Sequence, residues 1–347
     1  MKALCDKEPL SNFPFGGLMS GNLITIAIIY GGRSPEHEVS LRSARSVFEA
    51  IDRKKYVVIP VYITKQGEWY QAPSKVESFT DPANFEKTQR PIFSPDPCHQ
   101  GLLKISPEGF LTPLSADVFF PALHGMYGED GTLQGLMDLA SVPYVGCGTL
   151  ASSVGMDKVI MKAAFRDAGI KVGPFFWFLK SEWINDPGSI IERMKRRDCP
   201  LFIKPANLGS SVGISRVLRP HEFERAIELA LSFDRKILVE DAIVGRELEV
   251  SVLGNDEPQA SVPGEIVSHS VFYDYQEKYL EDTAELIIPA VLTAPVAQRA
   301  KKVAVAAFKA VDGSGLARVD MFLDSSDQIV INEINTLPGF TSVSMYP

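Results

Sequence analysis

A chain of 347 residues that is 45% hydrophobic has room for two or three ordinary cores, and its formal net charge of -8 lacks the basic surface that nonspecific nucleic-acid binding requires. Charged residues make up 22%, with both signs mixed and no low-complexity tract, which excludes a disordered chain. The longest apolar run, residues 23–30, is too short to span a bilayer, and the four cysteines form no C-x-x-C pair; no membrane role and a cytoplasmic, reduced-thiol protein are expected.

Residues 1–22 lack the apolar core of a signal peptide and read as an N-terminal extension, with Met19 just ahead of the first strand-like run. The run 23–30, Gly31-Gly32, and Ala44, Val47, Phe48 and Ile51 at helical spacing make a strand, a glycine turn and a helix. Further strands are expected at 57–64 and 118–123, with a Pro-rich, weakly periodic segment at about 71–109 read as a variable insertion. This unit, 23–148, is an α/β domain with a parallel sheet. A second, 149–243, has a helix at 158–168, strands at 175–179, 201–204 and 237–240, and an amphipathic helix carrying Phe223, Ala226, Ile227, Ala230 and Leu231. The third, 244–347, alternates over 247–253, continues in a helix bearing Val296, Ala300, Val303, Ala304 and Ala307, and closes with strands at 316–323 and 329–335.

The closing strands are joined by Asp324-Ser325-Ser326-Asp327, a natural hairpin turn. With Ser325 and Ser326 as a two-residue tip, Asp320 pairs with Ile331, and Arg318, Asp320, Glu333 and Asn335 share one face. Two carboxylates and an amide are hard oxygen donors suited to magnesium held against phosphate. A solvent-facing polar edge would give the same pattern. The stretch from Lys204 through Pro205-Ala206-Asn207-Leu208-Gly209-Ser210-Ser211 to Gly213 puts a lysine at a strand end before a loop of small residues. Backbone N–H groups of such a loop can cradle phosphate, although it is not a Walker A sequence and a plain turn reads equally well.

Seven segments in order make the reading specific: Gly31-Gly32-Arg33-Ser34-Pro35-Glu36-His37-Glu38-Val39-Ser40, Leu123-His124-Gly125-Met126-Tyr127-Gly128-Glu129-Asp130-Gly131, Met156-Asp157-Lys158, the Lys204 loop, Phe272-Tyr273-Asp274-Tyr275-Gln276-Glu277-Lys278-Tyr279, Gly315-Leu316-Ala317-Arg318-Val319-Asp320, and Asn332-Glu333-Ile334-Asn335-Thr336-Leu337-Pro338-Gly339. Together they resemble the D-alanine:D-alanine ligases of the ATP-grasp superfamily, from about residue 24 to the last. The resemblance implies an ATP-grasp fold, α/β with α+β central and C-terminal units, behind a pre-ATP-grasp domain. It also implies ATP-driven joining of two D-alanines through an acyl phosphate, for peptidoglycan precursor synthesis.

By the same resemblance, Asp320, Glu333 and Asn335 hold magnesium or manganese, two ions in all, and Lys158, Lys204, Ser210, Lys278, Glu240 and Glu247 serve ATP. Glu36 takes the ammonium of the first D-alanine, with His124 near its carboxylate. Arg318 and the Gly339 N–H stabilise the oxyanion, Ser344 with Met345 receives the second D-alanine, and Ser210 and Tyr279 close a loop toward Glu36. Tyr279 favours a dipeptide over the ester of D-alanine:D-lactate ligases. Those ligases, D-alanine:D-serine ligases and a catalytically silent ATP-binding regulator are the alternatives; a dinucleotide-binding module is disfavoured because G-x-G-x-x-G is incomplete. The family continues past Ser344-Met345-Tyr346-Pro347 into a helix, so the last unit is expected to be truncated, and a homodimer is expected.

Overall fold

The first apolar run becomes a strand paired on both edges. In the computed structural model, which describes residues 23–73, 90–106, 108–267, 285–341 and 343–347, β1 (Ile24–Gly31) leads into α1 (His37–Ala50), β2 (Tyr56–Ile63) and β3 (Trp69–Gln71). β4 (Ile92–Phe93), β5 (Leu102–Ile105), β6 (Leu111–Pro113), β7 (Val118–Ala122) and α2 (Thr132–Leu139) follow. β1 lies parallel to β2 and β7 in the order β3-β2-β1-β7, with β3 antiparallel at the edge. Both faces of β1 are covered, which is why it reads as a continuous apolar run. Ile28 and Tyr30 pack with Ala44, Val47 and Phe48 of α1, while Ala27 and Ile29 pack with Leu133 and Met137 of α2. The segment read as a variable insertion contains β4 and β5, which join β6 in an antiparallel sheet; its residues 74–89 lie outside those described.

α3 (Thr149–Met156) and α4 (Lys158–Asp167) precede β8 (Phe175–Leu179), α5 (Lys180–Asn185), α6 (Pro187–Lys195), β9 (Leu201–Pro205), β10 (Ser215–Val217), α7 (Phe223–Leu231) and β11 (Lys236–Asp241). The strands form an antiparallel sheet in the order β10-β9-β11-β8. The apolar stripe of α7, Phe223, Ala226, Ile227, Ala230 and Leu231, closes its core against Ile203, Val217, Ile237 and Val239.

A third antiparallel sheet holds β12 (Gly245–Leu253), β13 (Gln259–Ala260), β14 (Gly264–Val267) and β15 (Glu285–Ile287). After α8 (Ala294–Ala310) it is completed by β16 (Leu316–Asp324) and β17 (Ile329–Asn335), in the order β15-β14-β12-β16-β17 with β13 on β12. α8 turns Val296, Ala300, Ala304 and Ala307 into the same cluster as Val250, Val319 and Ile331. Three alanines on that face let the helix lie close to the strands. Among the described residues no helix is long and apolar enough to cross a membrane.

The closing hairpin corrects the predicted register. Leu323 pairs with Ile329, Asp324 N–H donates to the Gln328 carbonyl at 3.0 Å, and Asp327 adopts a left-handed φ of 58°. The loop therefore has three residues at its tip, one more than a two-residue turn, and left alone would place Glu333 and Asn335 on the face opposite Asp320. A bulge at Asn332 restores them: Met321 pairs with Ile331, but Asp320 pairs with Glu333 and Arg318 with Asn335. The expected grouping thus arises through a different pairing from Asp320 with Ile331.

Candidate active site

The β1–α1 turn is fastened to the end of β7 by two serines. Ser40 Oγ accepts the Gly31 N–H at 2.8 Å and donates to the Ala122 carbonyl at 2.5 Å; Ser34 Oγ donates to the His124 carbonyl at 2.6 Å and accepts the Glu36 N–H at 3.1 Å. These bonds set Glu36, at the start of α1, beside His124 and Gly125. Gly125 has φ +69°, and a Cβ there would stand 2.2 Å from Glu36 Oε2, so a side chain would strain the backbone and displace the Glu36 carboxylate. Glu36 accepts a hydrogen bond from Ser210 Oγ across the cleft. Burial and the nearby Glu129 push its carboxyl above the usual range, against the pull of Ser210, His124 and Lys158. His124 is buried, with Nε2 2.8 Å from Ser43 Oγ and Nδ1 3.9 Å from Glu129 Oε1. Burial disfavours its imidazolium, yet Glu129 and then Glu36 outweigh that and raise its pKa.

Across from this corner, Asp157 caps α4 by accepting the N–H groups of Val159 and Ile160 and pairs with Lys236. The cap aims Lys158 at the small-residue loop, where its Nζ donates to the Leu208 carbonyl at 2.7 Å and lies 3.5 Å from Glu333 Oε2. Ser210 and Ser211 in that loop both have left-handed backbones, φ 48° and 58°. One helical turn beyond Lys158, the buried Lys162 places Nζ 2.8 Å from Glu240 Oε1 and donates to the Asn332 carbonyl at 3.0 Å. Lys204 holds the other oxygen, Glu240 Oε2, at 2.6 Å. Burial alone would raise the Glu240 carboxyl; Lys162 and Lys204 instead hold it at about 2. Burial pushes the Lys162 ammonium below its ordinary range, with Glu240 opposing.

The cleft between the sheet of β9 and β11 and the sheet of β12, β16 and β17 has a volume of about 210 Å³ and is lined by Lys158, Lys204, Ser210, Glu240, Glu247, Asn332 and Glu333, with Phe202, Ile243 and Phe322 among its apolar walls. At one end Arg318 grips Asp320 with Nε and Nη2, both at 2.7 Å, and its Nε lies 3.2 Å from Glu249 Oε2. Asn335 Nδ2 donates to Asp320 Oδ2 at 3.0 Å, which leaves its amide oxygen as the available donor for a cation. A Cβ on Gly339 would come within 2.8 Å of Ser344 Oγ, so the glycine admits that serine beside its backbone; Ser344 Oγ accepts the Thr341 N–H at 3.2 Å. The Met345 carbonyl lies 3.5 Å from Ser251 Oγ, and the Met345 sulfur faces Gly264.

Thus Lys158, Lys204, Ser210, Glu240, Glu247 and Glu333 meet in one cleft; Glu36 reaches it through Ser210, and Arg318, Asp320 and Asn335 form a connected group. Lys278 and Tyr279 lie outside the described residues. Sequence reasoning missed Ser43, Glu129, Lys162 and Asn332 as site residues. Lys162 could have been found by its i+4 spacing from Lys158 on a helix whose neighbouring positions Val159, Met161 and Phe165 are apolar. Ser43 carries no such signal.

Comparison with known proteins gives a consistent result. A family profile described as the D-ala D-ala ligase N-terminus matches residues 25–147, and one described as the D-ala D-ala ligase C-terminus matches residues 164–347. The chain is 48% identical over 330 residues to a D-alanine--D-alanine ligase of Heliobacterium modesticaldum, covering 93% of this chain and 88% of that one. It is 46% identical to one of Bacillus velezensis, covering 92% and 90%. Among solved structures, a D-Ala:D-Ser ligase from Enterococcus faecalis is similar with a TM-score of 0.82 and 41% identity, covering 94% of each chain. A D-alanine-D-alanine ligase from Coxiella burnetii has a TM-score of 0.81 and 33% identity, covering 94% of this chain and 88% of that one.

Proposed function

The chain belongs to the D-alanine:D-alanine ligase family, an enzyme with the ATP-grasp fold, and from that premise we propose that it joins two D-alanines through an acyl phosphate in the cleft beside Glu36. The observation that carries this reading is that Ser210 lines the cleft and also bonds Glu36, so one side chain links the lysine-lined cavity to an amino-acid corner. A carboxylate is a poor electrophile; phosphorylating its oxygen makes a leaving group, and a closed site keeps water from the acyl phosphate until the amine attacks.

In this reading the apolar walls of Phe202, Ile243 and Phe322 take the adenine, Glu247 with Glu240 lies on the base and ribose side, and Lys158 and Lys204 meet the phosphates. Asp320, Glu333 and Asn335 fit magnesium or manganese: the donors are hard oxygens, and Asp320 and Glu333 stand opposite each other. Among the described residues no cluster of three His, Cys, Asp or Glu forms a cage of its own, which suits a cation that completes its shell with phosphate oxygens and water. Bound there, such an ion would draw charge from the phosphoryl oxygens. Glu36 receives the first ammonium, Arg318 and the Gly339 N–H steady the oxyanion, and Ser344 beside Met345 receives the second carboxylate. The division at residues 148 and 243 belongs to the same proposal, with the cleft closing between the second and third units.

The test is direct. The purified chain with ATP, magnesium and D-alanine should release ADP and yield a product with the mass of D-alanyl-D-alanine; no D-alanine-dependent ADP release would reject the reading. Similarity to the D-Ala:D-Ser ligase favours a second reading, in which D-serine is the second substrate. Competition between the two amino acids, read by product mass, separates them.

A further inference from the structure

Lys162 stands behind the wall of the cleft rather than in it, and the side chain is only 2% exposed. An ammonium at that depth requires partners, and the two it has lie on different strands. From α4 it reaches Glu240 Oε1 on β11 at 2.8 Å and the Asn332 carbonyl on β17 at 3.0 Å. Both partners govern groups that face the cleft. Glu240 holds Lys204 with its second oxygen at 2.6 Å, and Asn332 is the bulged residue that turns Glu333 and Asn335 onto the face of Asp320.

Resting on the reading of this cleft as a metal–nucleotide site, we infer that Lys162 is a positioning residue for nucleotide binding, which keeps Glu240 paired when Lys204 turns to phosphate and clamps the Asn332 bulge. For Lys204 to turn wholly to a phosphate it would leave Glu240, a carboxylate whose side chain is only 8% exposed. With Lys162 in place, that carboxylate keeps one cation. Without it, moving Lys204 would strand a buried charge, so Lys204 stays locked on Glu240. The bulge clamp acts through the backbone: Asn332 interrupts the strand ladder, and a donor from α4 fixes the carbonyl at the point where the register changes.

Magnesium-ADP binding by calorimetry, a melting curve and the D-alanine KM, measured on wild type, Lys162→Met and the double variant Lys162→Met/Glu240→Gln, test this. Lys162→Met should melt cooperatively, weaken magnesium-ADP about 10- to 100-fold and leave the D-alanine KM within about twofold. The double variant should recover part of the lost affinity, because a neutral amide in place of the Glu240 carboxylate no longer detains Lys204; a merely structural Lys162 would show no such rescue. If Lys162→Met does not fold, Lys162→Gln, which keeps a donor for the Asn332 carbonyl without the charge, carries the same comparison. Unchanged magnesium-ADP affinity in a folded Lys162 variant, or an equal loss for D-alanine, would overturn the inference. Failure of the wild-type chain to bind magnesium-ADP would instead remove the reading of the cleft, and the inference with it.

Discussion

Glu36 and Glu240 are each 6% exposed, yet burial is decisive at one and overridden at the other. The carboxyl of Glu36 is pushed up, whereas that of Glu240 is held at about 2. Desolvation raises both; their partners differ. Glu240 has an ammonium on each oxygen, while Glu36 has a hydroxyl, Ser210, and a second carboxylate, Glu129, close by. The protein itself thus supplies the counter-ions of Glu240. At Glu36 the pull of His124 and Lys158 does not offset burial and Glu129, so in the proposed function the ammonium of an amino acid would add the charge that corner needs. Equal burial thus gives a doubly paired carboxylate in one place and, in the proposed function, a receptor in the other.

The largest effect is expected at Arg318, which stands between Asp320 and Glu249. If it also steadies the oxyanion, Arg318→Ala should lower turnover about 10²- to 10³-fold, and a steady-state assay on a variant that still melts cooperatively measures it. Near-normal turnover would remove Arg318 from the chemistry.

Next in size is the paired comparison. Glu240→Gln leaves Lys162 and Lys204 facing each other without their counter-ion and should cost about 3–5 kcal/mol in urea unfolding. Glu36→Gln removes a carboxylate that Glu129 repels, so it should unfold at the same urea concentration as wild type or a higher one, while D-alanine-dependent turnover collapses. The two also differ in pH dependence. The folded-state pKa of Glu240 lies below its ordinary value, so its stabilisation is present above the ordinary range and is lost as pH falls toward about 2; Glu240→Gln should abolish that part of the acid loss. The folded-state pKa of Glu36 is raised, so the folded protein keeps a proton longer and loses stability as pH rises through the raised value. Indistinguishable pH profiles for the two variants would break the comparison.

How much of this was legible depends on whether a feature repeats along the chain. The core strands β1, β2 and β7 and the stripes of α7 and α8 follow from apolar periodicity, and the polar face of the closing hairpin follows from alternation. The Asn332 bulge does not, because alternation fixes a face only when the register is known, and the extra tip residue and the bulge offset one another. β4 and β5 were hidden in a Pro-rich stretch, where strands of two and four residues are too short to show a period. The resemblance supplied Glu36, His124 and Arg318 as a set; no spacing rule joins residues so far apart. Lys162 is hard to read from sequence because a lysine among apolar helix positions reads as a charge reaching for solvent, whereas the structure gives it two acceptors inside.

The smallest predicted effect probes the Glu36 corner without emptying it. Glu129→Gln keeps an acceptor for the Gly125 N–H, which Glu129 Oε2 now takes at 2.8 Å, and removes only the charge. His124 should then lose its strongest support against burial, and its pKa should fall; Glu36, no longer repelled, should fall as well. The two shifts are coupled, since a more fully ionised Glu36 pulls the His124 pKa back up. The downward direction should still prevail, because Glu129 outweighs Glu36 among the charges acting on His124. With five histidines in the chain, the imidazole resonance of His124 can be followed through a pH titration by NMR in both proteins. A titration that stays in place or moves upward would show that Glu36, rather than Glu129, sets the charge of His124, and that the corner is organised around a single carboxylate.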